Sequence, residues 1–206
     1  MDNKELSTEQ IILEAAEAEF LEKGYGNAKT VAIAKRAGVS HSMLHYYFRT
    51  KEQLFQKVFK EKVQTFTQMF SVVFENNTDF LQTLRLVIEK QFNFLTQNPQ
   101  LPMFVIREII SNKENRDWAI NTFYPHLFPY ISTIEKMLNT EISRGTVRPI
   151  AIHHLMMNII SINISFFIAL PALKEVLPIT DDADFANLLN ERRESNVQFI
   201  LNALKP

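Results

Sequence analysis

Apolar side chains recur every three or four residues along most of the chain, the spacing that places them on one face of an α-helix. Ile12, Ala16 and Phe20 form the first such stripe, and Ser7 with Gln10 forms a capping box at its beginning. The same spacing recurs downstream, including a stripe from Leu81 to Leu95. Beyond the first 50 residues we predict helices at about 51–74, 80–96, 101–111, 115–124, 131–144, 150–170 and 184–204.

Glycine and proline mark the predicted helix ends. Only four glycines occur in 206 residues, which argues against all-β and dinucleotide-binding folds, because both need many special turns. We expect Pro125 and Pro129 to force a bend between two helices, and Pro171 with Pro178 to end the helix that begins near residue 150. The sequence therefore predicts an all-α fold of about nine helices.

Residues 30–48 predict two short helices joined by a tight turn. Thr30 is expected to cap the first helix, Gly38 to end it in a left-handed conformation, and Ser40 to cap the second, from His41 to Tyr47.

The second of these helices has two different faces. Leu44 and Phe48 lie four residues apart and face inward, whereas Ser42, His45 and Tyr46 face outward. Two helices joined through a glycine turn, the second with a polar outer face, are typical of a helix-turn-helix that enters the major groove of DNA.

The charge distribution supports a polyanionic partner. Between Lys29 and Lys62 there are eight basic and two acidic side chains, a net charge of +6 in a protein whose net charge is −1. The beginning of a helix suits a phosphate, because its free amides carry partial positive charge, and Lys29 and Thr30 stand there. Lys51 stands in the first turn of the next helix, where a cation is unfavourable, which indicates a ligand beyond the helix.

Several short motifs in order resemble the TetR/AcrR family of bacterial transcriptional regulators. They are Ile33-Ala34, Ala37-Gly38-Val39-Ser40, Tyr46-Tyr47-Phe48 and Lys51-Glu52-Gln53-Leu54-Phe55, within a match from about Ser7 to Phe59. The resemblance implies double-stranded DNA as partner. The predicted DNA-binding residues are Lys29, Thr30, Ser40, His41, Ser42, Met43, His45, Tyr46, Tyr47 and Lys51. His45 departs from the family, which most often has tyrosine at this position.

The resemblance also implies the domain organisation. Residues 1–52 would form the DNA-binding domain, residues 53–206 a larger regulatory and dimerisation domain, and the helix over residues 51–74 would connect them. The last two helices, about 150–170 and 184–204, would pair with their twins in a homodimer that binds a palindromic operator. A small, largely apolar effector would release the DNA by shifting the connecting helix. Candidate pocket residues are Phe66, Phe70, Phe92, Phe104, Trp118, Phe123 and Phe166.

Other classes of function have less support. No GxSxG, P-loop, GxGxxG or HExxH motif occurs, so we expect no enzyme, no catalytic residue and no cofactor. We expect no metal site, since His153 and His154 are adjacent and should diverge on a helix. Polar residues interrupt the apolar stretch 150–170, so we expect no membrane span. The absence of cysteine and of an apolar segment at the beginning of the chain predicts a cytoplasmic location. The alternative is a constitutive or architectural DNA-binding protein without a ligand.

Overall fold

Nine α-helices and one π-helical segment make up the regular structure of the described residues. A computed structural model describes residues 7–76, 79–110 and 112–206. The helices are α1 (Thr8–Asn27), α2 (Thr30–Arg36), α3 (His41–Tyr47), α4 (Lys51–Asn76), α5 (Phe80–Gln97), α6 (Leu101–Phe104), α7 (Lys113–Ser143), α8 (Ile152–Val176) and α9 (Asp182–Ala203), and the π-helical segment Val105–Ile110 continues α6. The predicted all-α fold is confirmed. Ser111, the predicted end of the helix from Leu101, lies outside the described residues.

Contacts between residues divide the chain into two compact units. Unit 1 comprises Met1–Thr65 and Phe104–Ala119, and unit 2 comprises Phe66–Met103 and Ile120–Pro206. Helices α4 and α7 contribute residues to both units. The boundary after residue 52 remains a prediction.

Unit 1 buries the first predicted stripe. Ile12, Ala16 and Phe20 of α1 are buried, and the Phe20 ring meets the Phe55 ring edge-on, with centroids 5.4 Å apart. The hydroxyl of Ser7 accepts a hydrogen bond from the backbone N–H of Gln10 at 3.2 Å, as the capping box predicts. The beginning of α1 and its buried face are therefore as the sequence indicates.

Unit 2 has a core between α5, α8 and α9. Its buried residues include Leu84, Ile88, Leu155, Ile159 and Val197. The inward orientation predicted for Leu81 is wrong: its side chain is exposed, because the buried stripe of α5 is centred on Phe80, Leu84 and Val87.

A buried amide network crosses this core. Asn163 of α8 donates to the carbonyl oxygen of Ile88 at 3.1 Å and to Oε1 of Gln91 at 2.9 Å, and it accepts a hydrogen bond from Asn196 of α9 at 2.9 Å. Among the described helices, α8 is long and apolar enough to cross a membrane by length and composition. Its amide bonds to α5 and α9 identify it as a core helix of unit 2, because buried amides must find partners.

The predictions that proline ends or separates helices here are wrong. Pro125 and Pro129 lie inside α7, and Pro171 lies inside α8, which continues to Val176. A proline inside a helix leaves the carbonyl four residues earlier without its N–H partner. All three prolines are exposed, so their rings do not enter the core, and the helices continue past them.

Candidate nucleic-acid interface

The turn between α2 and α3 is closed by a Schellman motif. Gly38 has a φ of 68°, its N–H donates to the carbonyl oxygen of Lys35 at 3.2 Å, and the N–H of Val39 donates to that of Ala34 at 3.0 Å. The left-handed end predicted at Gly38 is confirmed. Only glycine adopts this conformation without steric cost, so the angle between the two helices depends on this residue.

Helix α3 begins where the sequence predicts. The hydroxyl of Ser40 accepts a hydrogen bond from the N–H of Met43 at 3.1 Å, so Ser40 is its N-cap. On the inner face, Leu44 is fully buried and Phe48 is 6% exposed. On the outer face, Ser42, His45 and Tyr46 are all exposed, and Tyr46 is 83% exposed. The helix therefore presents a polar, partly aromatic surface and is anchored from behind.

The cap predicted for α2 is wrong. The N-cap position is occupied by Lys29, with no side-chain cap bond, and Thr30 is the first helical residue. The hydroxyl of Thr30 lies instead 3.0 Å from Nε2 of His41, which in turn lies 3.0 Å from Nε2 of His45. A single polar chain thus connects the beginning of α2 with both ends of α3, a contact that the sequence analysis missed.

Three of the eight basic residues form ion pairs within unit 1, and a fourth, Lys51, is hydrogen-bonded to backbone carbonyls. Arg36 hydrogen-bonds Glu22 at 2.7 Å and so lowers the pKa of that carboxyl, Lys57 pairs with Glu61 at 3.4 Å, and Lys62 pairs with Glu17 at 2.8 Å. Because Glu22 stays ionised at neutral pH, Arg36 is neutralised there. The effective positive charge is therefore smaller than the count of residues indicates.

The remaining basic residues are exposed. Within the described residues, Lys29, Lys35, Arg49 and Lys60 have no ion-pair partner. Lys29 precedes α2, Lys35 lies in its last turn, and Arg49 directly follows the C-cap of α3. Lys35 and Arg49 were absent from the predicted contact set, although both lie in the basic segment, because the prediction followed the motif and not the charge.

Lys51 is held by backbone carbonyls. Its ammonium donates to the carbonyl oxygens of Tyr25 at 2.8 Å, Ala28 at 3.1 Å and Gly26 at 3.4 Å, and lies 4.6 Å from the centre of the Tyr25 ring. These carbonyls follow the break in α1 at Gly24, whose φ is 78°. An internal ligand therefore accounts for a cation in the first turn of α4, and phosphate contact by Lys51 remains a prediction.

The predicted effector-pocket residues are divided between the two units. Phe104 and Trp118 pack on Phe59 in unit 1, with ring centroids 6.1 and 5.8 Å away. In unit 2, Phe66 packs on Phe70 at 4.9 Å and Phe92 packs on Phe166 at 5.8 Å. The fifth member of the unit 2 set is Phe123, which is also buried.

Two clefts lie elsewhere. One, of about 190 Å³, lies between α1 and α4 and the other, of about 300 Å³, lies around the beginning of α9; neither is lined by any of the seven predicted residues.

Comparison with known proteins decides the family. A model for bacterial regulatory proteins of the tetR family matches residues 12–58, which contain the whole helix-turn-helix. The chain carries a DNA-binding domain of the TetR family. The relatives that it matches are transcriptional regulators and not enzymes.

Relatives extend the similarity beyond the TetR-type domain. The fatty acid metabolism regulator protein of Bacillus subtilis (strain 168) is 27% identical over 137 residues, which are 66% of this chain and 69% of that protein. An HTH-type transcriptional regulator of the same organism, YdgC, is 32% identical over 107 residues, which are 49% of this chain and 54% of the relative.

Solved structures share the fold over nearly the full length. The transcriptional regulator FadR from Bacillus subtilis, in complex with stearoyl-CoA, has a TM-score of 0.66 at 24% identity and covers 91% of this chain and 96% of its own. The ketosteroid transcriptional regulator KstR2 of Mycobacterium tuberculosis has a TM-score of 0.72 at 15% identity and covers 100% and 97%. At these identities the similarity shows the fold of a TetR-family regulator.

Replacing Lys51 by methionine keeps most of the apolar stem and removes three charge-assisted hydrogen bonds. We expect unit 1 to lose about 1.5–3 kcal/mol of stability, the range for hydrogen bonds to charged groups. Urea unfolding followed by the fluorescence of Trp118, the one tryptophan in the chain, reports on this unit.

Lys60→Met is the matched control on the same helix, and because Lys60 is exposed it should change stability by less than about 0.5 kcal/mol. Equal stabilities of the two variants would mean that the carbonyl contacts of Lys51 contribute nothing.

Proposed function

We propose that this TetR-family regulator binds a palindromic operator as a homodimer and is a repressor that a small effector releases. The observation that carries the proposal is the outer face of α3, where Ser42, His45 and Tyr46 are exposed while Leu44 and Phe48 anchor the helix. Side chains of this size reach base edges in a major groove. Tyr46 and Tyr47 can also donate hydroxyl hydrogen bonds to phosphates.

The exposed cations supply the second part of the argument. Lys29, at the beginning of α2, and Arg49, just after α3, bracket the helix-turn-helix in sequence, and both side chains are exposed. Contacts to phosphate position a protein on the duplex, whereas contacts to base edges specify the sequence. We therefore assign phosphate binding to these cations and sequence reading to His41, Ser42, Met43 and His45.

The dimer proposal rests on an exposed apolar seam in unit 2. Met157, Ile160 and Ile168 are 59%, 38% and 37% exposed and fall within about 80° of one another around α8. Phe199 of α9 is 63% exposed. Large apolar side chains grouped on one helix face are typical of a surface that a partner covers. Two α3 helices about one turn of DNA, ~34 Å, apart would match a palindromic operator.

The effector proposal rests on the polar and aromatic groups of unit 2. Phe92 packs on Phe166 and Phe167, and the Arg192 guanidinium lies 6.0 Å from the centre of the Phe166 ring. One turn apart on α9, Nε of Arg192 and Oδ1 of Asn196 are buried, and neither has a hydrogen-bond partner among the described residues. A buried donor beside an aromatic ring, with an open buried acceptor one helical turn away, suits a ligand with an apolar body and a polar group.

The relatives suggest the class of effector. One is named a fatty acid metabolism regulator, and a solved structure of the same fold holds stearoyl-CoA. We therefore infer a long-chain acyl compound, with its chain among the phenylalanines and a polar group near Arg192. Helix α4, like α7, contributes residues to both units, and we propose that an effector in unit 2 acts on α3 through α4.

Arg49→Gln tests the phosphate assignment. Loss of one phosphate contact should flatten the slope of log K against log salt concentration by about one unit and weaken binding to all sequences alike. Fluorescence anisotropy on operator and random DNA over a salt series measures both quantities. Lys90→Gln, an exposed position on α5 with the same loss of charge, is the control. Equal slopes for the two variants would remove Arg49 from the interface.

Met157→Asp combined with Phe199→Asp should convert the dimer into monomers, because two carboxylates per protomer would be buried in the interface. Sedimentation equilibrium measures the mass of the 24.0 kDa chain and its dimer directly. Phe128→Asp, on an exposed position of α7, is the matched control and should stay dimeric. A parent protein that is already monomeric, or a double variant that stays dimeric, would contradict this interface.

Stearoyl-CoA should release labelled operator DNA from the protein, and free CoA should not, because the acyl chain supplies the apolar part of binding. Arg192→Ala should raise the stearoyl-CoA concentration needed for half release at least tenfold. Arg193→Ala is the control, because Arg193 is the next residue on α9 and donates a hydrogen bond to Oδ1 of Asn93 at 2.9 Å. Operator binding that ignores acyl compounds would reject this effector class and favour the constitutive alternative.

A further inference from the structure

Two imidazoles meet on the outer face of α3. His41 and His45 are one helical turn apart, their Nε2 atoms are separated by 3.0 Å, and their ring centroids by 4.3 Å. The hydroxyl of Thr30 is a third polar atom at the same place, 3.0 Å from Nε2 of His41. Both histidines are exposed, so solvent reaches the pair.

This geometry matches the one that a single transition-metal ion requires. Zinc binds histidine nitrogen at about 2.0–2.1 Å, so two nitrogens on the same ion are about 2.9–3.4 Å apart for angles between about 90° and 110°. The observed separation of 3.0 Å lies in that interval. The spacing of the two nitrogens therefore already suits a shared ion. Spacing of four residues on one helix face is also how paired histidines hold zinc in other proteins.

We propose that His41 and His45 chelate one divalent transition-metal ion of the class that prefers imidazole, Zn²⁺, Cu²⁺ or Ni²⁺. Both Nε2 atoms are ligands, water completes the coordination, and Thr30 lies where it can hydrogen-bond one of those waters. Mg²⁺ and Ca²⁺ are excluded because they take oxygen ligands. No group of three or more histidine, cysteine, aspartate or glutamate side chains in the described chain could hold an ion, so this is an open site with two protein ligands.

The pair formed by His153 and His154 is a useful comparison. Their ring centroids are 4.2 Å apart, so the expectation that these adjacent rings diverge is wrong. They are neighbours in sequence, however, and the structure gives them a ring contact, whereas His41 and His45 direct their Nε2 atoms at each other. The metal assignment therefore goes to α3.

The consequence for DNA binding rests on the proposed function. A bound ion engages the two nitrogens that would otherwise face base edges, and it adds two positive charges to the surface that faces phosphate. Sequence-specific contacts to the bases should weaken, while electrostatic attraction to the phosphates should grow. Metal should therefore lower the ratio of operator to random-DNA affinity.

The test of metal binding uses the full chain and no DNA. The chain has five histidines, and replacing His126, His153 and His154 by alanine, all at exposed positions, leaves only His41 and His45. Calorimetric titration of this variant with Zn²⁺ should show one ion per protomer. Adding His45→Ala should weaken binding at least tenfold, and Thr30→Val should change it by less than threefold. Absence of Zn²⁺ binding, or binding that His45→Ala leaves unchanged, would overturn the proposal.

The test of the consequence adds DNA in a second step. In the triple-alanine variant, saturating Zn²⁺ should lower the ratio of operator to random-DNA affinity at least fivefold. When His45→Ala is added to that variant, Zn²⁺ should leave the ratio unchanged. If Zn²⁺ leaves this ratio unchanged in the triple-alanine variant, the proposal that the bound ion weakens sequence recognition is overturned. A protein that binds Zn²⁺ as described but binds no DNA at all would reject the proposed function and keep the metal site.

Discussion

The burial of Leu44 and Phe48 is the interaction on which the outer face of α3 depends. A helix of seven residues is too short to be stable alone, because nucleation of a helix is costly. Its packing energy comes from one fully buried leucine and one nearly buried phenylalanine, and loss of such a leucine typically costs about 2–5 kcal/mol. The turn at Gly38 fixes where the helix begins, and the hydroxyl of Ser40 accepts a hydrogen bond from an N–H in its first turn. Together, the buried face, the turn and the cap hold Ser42, His45 and Tyr46 toward the solvent in one orientation.

The two units differ in what they expose: unit 1 exposes positive charge, and unit 2 exposes apolar side chains. Unit 1 neutralises several of its cations internally and uses Lys51 to hold the end of α1, so its exposed positive charge is concentrated in a few side chains such as Lys29 and Arg49. Unit 2 connects α5, α8 and α9 through buried amides and keeps an apolar seam on the outside of α8. Surface charge suits a polyanion, and exposed apolar area suits a second protein surface.

Local signals in the sequence were sufficient for most of the fold. Gly38 and Ser40 could be assigned because a left-handed turn and a helix cap depend on residues within one turn. The continuation of helices through Pro125, Pro129 and Pro171 could not be assigned, because it depends on how the surroundings accommodate the proline ring and the freed carbonyl, and those surroundings depend on the whole fold. Lys51 was explained by phosphate alone because its carbonyl partners lie more than twenty residues earlier. The contact between His41 and His45 was predictable from their spacing of four residues, because side chains at that spacing lie on the same face of a helix.

Footprinting with hydroxyl radicals on DNA from upstream of the gene would test the central claim most directly, namely that two α3 helices of a dimer lie in successive major grooves. The account predicts two protected patches on one face of the duplex, separated by about 10 base pairs, in a symmetric sequence. The patches should disappear when Leu44→Ala removes the anchor behind α3. Protection that spreads evenly along the DNA, or a single patch bound by one protomer, would contradict it.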